Sequence, residues 1–263
     1  MISRLLEQSA IRPDVRIQIT ALVRDISKGR SLLANEIELI ADLENVDFNE
    51  TDVVINLAGE PIADKRWSEA QKKEICNSRW QLTEQIAKAI NQAKTPPKVF
   101  ISGSAIGIYG RQSDAQINEN FDDYHIEFTH KICQQWESLA LGVKSEFTRV
   151  CLLRTGIVLD ANGGALKKML PAFRFGLGGP LSTGNQIMSW IHIEDMLRAV
   201  IYCIENESMC GAINMTAPKA ESNEVFSKLL SKTLARPCIF RVPAPVLKAL
   251  LGEMSDLLLF GQN

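Results

Sequence analysis

Histidine is scarce in this chain: three residues, at 125, 130 and 192, with no H-x-x-x-H pair. A metal centre built on imidazoles needs such spacing, so no metal is expected. Six cysteines, at 76, 133, 151, 203, 210 and 238, occur without one C-x-x-C. That spacing argues against a zinc site or a disulfide framework. Scattered thiols fit a reducing compartment, and a cytoplasmic protein is expected. Neither sign of charge is in excess, since Lys+Arg 29 against Asp+Glu 31 gives a net −2. Nucleic acid and anionic membranes therefore have no electrostatic hold on the chain. No apolar run approaches a membrane span. The opening MISRLLEQ lacks the basic-then-apolar layout of a secretory leader. Internal repeats and low-complexity tracts are missing too.

What is present is a globular composition, 46% hydrophobic and 23% charged over 263 residues. That length buries one large core, or one plus a smaller lobe. The chain is organised around Thr51–Arg79. Val53–Leu57 is apolar, β-branched and too short for a helix, which reads as a strand buried on both faces of a parallel sheet. It ends in Ala58-Gly59-Glu60-Pro61, small residues at a strand's carboxyl end, where open α/β sheets bind flat ligands. An ordinary glycine loop is the alternative.

Other stretches fit the same alternation. Val15–Val23 reads as a strand ending at Arg24-Asp25, and Glu36–Ile40 as a short one. Ser68–Gln92 has helical spacing, with Ile75, Leu82, Ile86, Ala89 and Ile90 in an apolar stripe. Pro96-Pro97 ends it. Val99–Ile101 is the next buried strand, running to Ser102-Gly103-Ser104, and Arg149–Leu159 is a further strand through Arg154-Thr155-Gly156. A helix over Asp195–Glu205, a strand over Gly211–Met215, a helix from about Ser222 and a Pro-punctuated apolar end complete the chain. Cys151 and Cys203 lie in apolar runs and read as core fillers. Gly178-Gly179-Pro180 lacks a P-loop lysine and reads as a rigid turn.

The string NLAGEPIADKRW, followed by Glu74 and Arg79, resembles the epimerase-like atypical short-chain dehydrogenase/reductase family. Further matches are PPKVFISGSAIGIYG (96–110), CQQWE (133–137), LRTGIVLDANGGALKKMLPAFRFGLGGPLSTGNQ (153–186), MSWIHIEDM (188–196), INMTAPKAESNEVF (213–226) and LLGEMSDLLLFGQ (250–262). The resemblance implies an α/β fold, a Rossmann-type doubly wound parallel sheet with a small C-terminal substrate lobe. Residues 1–160 would form the dinucleotide-binding domain and 161–263 mainly the substrate lobe, with 188–215 returning to the sheet.

The implied cofactor is NADP. In dinucleotide-binding folds an acid after the second strand suits a ribose 2′-hydroxyl, and arginine suits a 2′-phosphate. Arg24 follows Val23 directly and Asp25 comes one later, which favours NADP over NAD; a solvated Arg-Asp turn is the alternative. The implied cofactor-binding set is Val23, Arg24, Leu57, Ala58, Gly59, Glu74, Arg79, Ser102, Arg154 and Val158. Ser104 matches the substrate-side serine of such enzymes.

Two departures stand out. The family opens on a strand and a G-G-x-G-x-x-G loop, and this chain has neither. That strand would be central in the 3-2-1-4-5-6 order, so a chain clipped at the N-terminus, and short at the C-terminus, is expected. Second, Tyr109, Tyr124 and Tyr202 are followed four residues on by Ser113, Phe128 and Asn206. No Tyr-x-x-x-Lys pair supplies the usual proton donor, and the corresponding slots hold Thr129 and Cys133. Tyr109, His125 and His130 read as structural or solvated. Two functions stay open: an NADP-dependent epimerase or oxidoreductase acting on a small polar or nucleotide-sugar-like substrate, or a non-catalytic NADP-binding regulatory or interaction protein. A non-binding scaffold is the third and blandest.

Overall fold

The computed structural model describes residues 1–11, 17–112, 116–143 and 146–261. In chain order the elements are α1 (Ile2–Ile11), β1 (Thr20–Leu22), α2 (Ile26–Leu32), β2 (Glu38–Ile40), β3 (Val53–Asn56), α3 (Glu69–Gln92), β4 (Val99–Ala105), α4 (Phe128–Leu141), β5 (Arg149–Thr155) and β6 (Ile157–Asp160). There follow α5 (Gly164–Arg174), β7 (Ile187–Met188), β8 (Trp190–His192), α6 (Ile193–Glu205), β9 (Gly211–Met215), β10 (Glu221–Ser222), α7 (Asn223–Thr233), α8 (Ala244–Leu251) and α9 (Asp256–Leu259).

A parallel four-stranded sheet in the order β3-β4-β5-β9 forms the centre. Its central strand β4 is buried along nearly its whole length, as a strand covered on both faces must be. On one face Phe100, Val150 and Leu152 pack against Ile86 and Ile90 of α3 and Ala140 of α4. On the other, Ile101, Cys151, Leu153 and Met215 pack against Met196, Val200 and Cys203 of α6. Helices on both faces make the sheet doubly wound, the fold class expected from sequence. Each fully buried Ile or Leu contributes about 1.5–3 kcal/mol, so these two clusters supply most of the driving force.

Strands β1 and β2 pair in parallel as a separate sheet, and among the described residues no ladder joins β1 to β3. The strand expected over Val15–Val23 is shorter: β1 covers Thr20–Leu22, while residues 15 and 16 lie outside the described residues. The pairing extends by single backbone bonds on either side, from Glu38 N–H to the Ile19 carbonyl and from Val23 N–H to that of Ile40.

The single strand expected over Arg149–Leu159 is two. It breaks at Gly156, where a Cβ would lie 2.5 Å from the Ser189 carbonyl oxygen. There the chain leaves β5 for β6, whose partner is β8. Helix ends follow side-chain chemistry. Ser68 caps α3 by accepting from the Gln71 N–H and Ser222 caps α7 by accepting from that of Val225. His192 is exposed and caps α6, its Nδ1 accepting from the Glu194 N–H.

Candidate functional site

The carboxyl ends of β1, β3, β4, β5 and β9 carry almost every residue singled out above. They fall into two halves of different character.

The first half is open. Beyond β3, Leu57 is 45% exposed and Ala58 is exposed as well. The Asn56 side chain holds this turn by accepting from the Ala58 N–H, while its amide donates to Thr83 in the core. The end of β1 comes near enough to the loop after β3 for the Arg24 charge to act on Glu60. Val23 is half-buried, while Arg24 is exposed and makes no hydrogen bond to a described residue. Its charge nevertheless reaches Glu60: the Glu60 carboxyl is held below its usual range first by the Lys65 hydrogen bond, with Arg24 contributing at longer range. Asp25, the neighbouring acid, is already engaged, its carboxylate capping α2 by accepting from the Lys28 N–H.

Arg79 borders the same ledge from α3. Its Nη1 donates to the carbonyls of Glu60 and Ile75, and its guanidinium stands 5.3 Å from the Trp136 ring centroid. A Cβ on Gly59 would lie 2.8 Å from Arg79 Cζ. Glycine at 59 therefore makes room for the protein's own arginine. Among the described residues no carboxylate hydrogen-bonds Arg79. Burial pushes its pKa down, with the Glu60 charge among the influences that oppose it. Glu74 is exposed and shares no bond with Arg79; five residues apart, the two stand about 140° apart around the helix.

The second half is sealed. Ser104, Arg154 and Asn214 are register partners on β4, β5 and β9, so their side chains rise on one face of three adjacent strands. Glu137 of α4 closes over them. Its carboxylate accepts from Arg154 Nε at 3.0 Å and Nη2 at 2.9 Å, and from Ser104 Oγ at 2.6 Å. Tyr109 donates to Asn214 Oδ1 at 2.7 Å and accepts from Arg154 Nη1 at 3.0 Å. The Asn214 N–H donates to the Glu119 carboxylate, and the Glu119 carbonyl takes a further Arg154 bond. Burial works against the Arg154 charge, but Glu137 and Tyr109 outweigh it and hold its pKa above the usual range. Ser102 is fully buried within β4, its hydroxyl directed at the Gly103 carbonyl, and Val158 is half-buried against the core.

Proton donors are poor here. Burial, reinforced by the charge of Glu137, pushes the Cys133 thiol up to about 12. Burial also raises Tyr109, with the Arg154 and Asn214 hydrogen bonds pulling the other way. Thr129 donates to the Glu127 carboxylate. His130, read from sequence as solvated, is in fact 2% exposed; it hydrogen-bonds the Ile108 carbonyl and packs on the Tyr124 ring. His125 is exposed.

Glu137, Asn214 and Trp136 went unassigned at the level of sequence. The edge of Trp136 fits where Gly103 leaves room, since a Cβ there would be 2.8 Å from the indole edge, and its Nε1 donates to Thr83.

A sequence profile of the NAD dependent epimerase/dehydratase family matches residues 18–215. Epimerase family protein ML0860 of Mycobacterium leprae is 37% identical over 236 residues, spanning 88% of this chain and 76% of its own. The mouse epimerase family protein SDR39U1 is 37% identical over 215 residues, 81% of this chain and 73% of its own. The crystal structure of human SDR39U1 (isoform 2) with NADPH superposes with a TM-score of 0.86 at 29% identity, covering 100% of this chain and 86% of that one. The Bacillus cereus UDP-glucuronic acid 4-epimerase, in complex with UDP-glucuronic acid and NAD, reaches 0.70 at 17% identity over 100% of this chain and 89% of its own, and shares the fold. With the profile covering most of the chain and relatives well above 30% identity, the chain belongs to the NAD dependent epimerase/dehydratase family.

Proposed function

We propose that this chain binds NADP across the open half of its strand tips, as an epimerase or oxidoreductase of the atypical short-chain type. The observation that carries the reading is the exposed Leu57–Ala58 ledge beside two arginines that no carboxylate among the described residues hydrogen-bonds. Arg24 would take the 2′-phosphate, a role supported by Asp25 being spent as a helix cap. Arg79, whose hydrogen bonds among the described residues go only to carbonyls, offers its charge to a second phosphate. Val23, Leu57, Ala58 and Gly59 would line the dinucleotide, with Ser102, Arg154 and Val158 behind it. Glu74 is assigned to the same site through the family motif. When bound, the nicotinamide supplies hydride chemistry. The substrate would be a small polar or nucleotide-sugar-like molecule received by residues 161–263, with residues 1–160 and 188–215 serving the cofactor. Free, scattered thiols suit the cytoplasm, and no helix among the described residues is long and apolar enough to cross a membrane.

One observation favours a second reading, a non-catalytic NADP-binding regulatory protein. Thr129 and Cys133 stand in the slots of the usual acid/base pair. Cys133 is held up to about 12 and the neighbouring Tyr109 is raised as well, so none of the three is tuned toward neutral pH. A general acid works best with a pKa near the operating pH.

Fluorescence titration with NADPH and with NADH tests the cofactor. The wild type prefers NADPH, and Arg24→Ser removes at least about tenfold of that preference, a loss of roughly 1.4 kcal/mol, with unfolding unchanged. Equal affinity for the two dinucleotides would overturn the assignment. Bound NADPH that is never oxidised across carbonyl and sugar-nucleotide panels would select the second reading.

A further inference from the structure

His130 and the Glu137–Arg154 pair border a cavity of about 470 Å³ on the flank of α4. His130 is 2% exposed. Its Nδ1 faces the Ile108 carbonyl, which only accepts, so Nδ1 carries the proton. The neutral ring then leaves Nε2 a bare acceptor, and nothing among the described residues hydrogen-bonds it. A polar atom on so buried a ring calls for a partner from water or a ligand. The ion pair has capacity to spare as well. Arg154 sends both Nη1 protons to Tyr109 and Glu119, and its Nε proton and one Nη2 proton to Glu137. The second Nη2 proton finds no acceptor among the described residues. Glu137 Oε1 takes two bonds and Oε2 only one, which leaves a lone pair. Both side chains are under a tenth exposed.

The rim adds Gln134 and Ser138, both exposed and neither hydrogen-bonded through its side chain to a described residue. They follow His130 at four-residue steps, so the three stand in a row along one face of α4. Ile108 and Tyr124, whose ring centroid is 5.2 Å from that of His130, supply the apolar wall. The Arg154 and Glu137 charges cancel, and no other charged side chain among the described residues lines the cavity. An anion or a cation therefore gains no net attraction there. A metal ion wants several oxygen ligands, and the one carboxylate already holds Arg154. What remains is a mixture: Nε2 and Glu137 accept, the Arg154 N–H donates, and Gln134 and Ser138 do both. A hydroxyl donates and accepts at one atom, so a molecule carrying several hydroxyls matches that mixture.

We propose that this cavity binds a neutral polyol the size of a sugar ring. One hydroxyl donates to His130 Nε2, others bridge Arg154, Glu137, Gln134 and Ser138, and the carbon skeleton rests on Ile108 and Tyr124. The volume lies within the range of small-molecule sites. The proposal does not rest on the cofactor reading. Arg154 is the residue this cavity shares with the proposed dinucleotide set, and the ledge follows β3, two strands from β5.

The chain has three histidines, so side-chain ¹⁵N spectra of histidine-labelled protein read His130 Nε2 directly. His125→Gln and His192→Asn, at exposed positions, identify the other two sets of signals. Glucose, galactose and sorbitol are titrated singly, with sodium phosphate and magnesium chloride as charged controls. The expected result is that at least one polyol moves the His130 Nε2 signal to saturation, toward the position of a protonated nitrogen, while His125 and His192 stay in place. Gln134→Ala/Ser138→Ala weakens that binding by about tenfold or more, the worth of two hydrogen bonds, and leaves the unfolding midpoint level or higher. Four results would each overturn the proposal: no saturable shift with any polyol, a shift of all three histidines together, a stronger response to phosphate or magnesium, or an affinity that the double variant leaves unchanged.

Discussion

Glutamine in place of Glu137 keeps the side-chain volume and removes its charge. The carboxylate now takes two Arg154 bonds and one from Ser104. Both members of the ion pair are under a tenth exposed, at 8% and 9%. An amide retains one acceptor oxygen and turns an NH₂ toward another donor, so one strong hydrogen bond becomes a donor–donor contact. Removing one partner of a buried pair costs about 3–5 kcal/mol, because the other charge is left behind. Tyr109 and the Glu119 carbonyl still hold Arg154, which places Glu137→Gln near the lower end, about 3 kcal/mol. For a domain stable by ~5–15 kcal/mol, that loss is easily measured. The control is Asp52→Asn, whose pair with Lys98 is 76% and 82% exposed and should cost under about 1 kcal/mol. Urea unfolding at pH 7 reads both, with unchanged slopes licensing the comparison. The double variant Glu137→Gln/Arg154→Met should lose less than the sum of its singles, since no orphaned charge remains. A Glu137→Gln loss no larger than that of Asp52→Asn would refute the reasoning.

Two further outcomes are expected. Gly103→Ala drives a methyl into the Trp136 ring edge and should cost about 1–3 kcal/mol in the same unfolding assay. Cys133 gives a pH signature: from pH 9 upward the unfolded thiol releases its proton while the folded one, at about 12, keeps it. Stability therefore falls with rising pH, by about 1.4 kcal/mol per unit, and Cys133→Ala should lose that part of the slope between pH 9 and 11.

The alternation of short β-branched runs with a stripe such as Ile75, Ile86 and Ile90 was enough to read the parallel sheet and its helices. Boundaries set by long-range contacts were not. The break at Gly156 exists because the Ser189 backbone crosses there, and nothing within residues 149–159 announces it. That Arg24 and the Ala58-Gly59 turn follow the carboxyl ends of strands was legible from the apolar runs before them. The use of Gly59 was not, since a sequence shows a missing side chain without showing which neighbour fills the space. Glu137 was visible only as a landmark in CQQWE. Its role needs the register that brings Ser104, Arg154 and Asn214 into one row, and pairing register cannot be read from a single strand. His130 was misplaced because its buried partner is a backbone carbonyl, which leaves no trace in residue type.

The two halves of the strand tips put different physical demands on substitutions. In the sealed half Ser104, Tyr109, Glu137 and Arg154 are spent on one another and on Asn214, so changes among them are expressed as lost stability. In the open half Arg24 is exposed and the Arg79 hydrogen bonds among the described residues go only to neutral carbonyls, so stability gains little from a carboxylate pairing with their charges. A guanidinium that burial disfavours, and that no carboxylate hydrogen-bonds, is a cost to the free protein. An anion that neutralises it recovers that cost, and the recovery appears as affinity. Arg79→Met should therefore weaken NADPH binding while leaving the unfolding midpoint of the ligand-free protein level or higher. A lowered midpoint with unchanged affinity would assign Arg79 to the scaffold instead of the ligand.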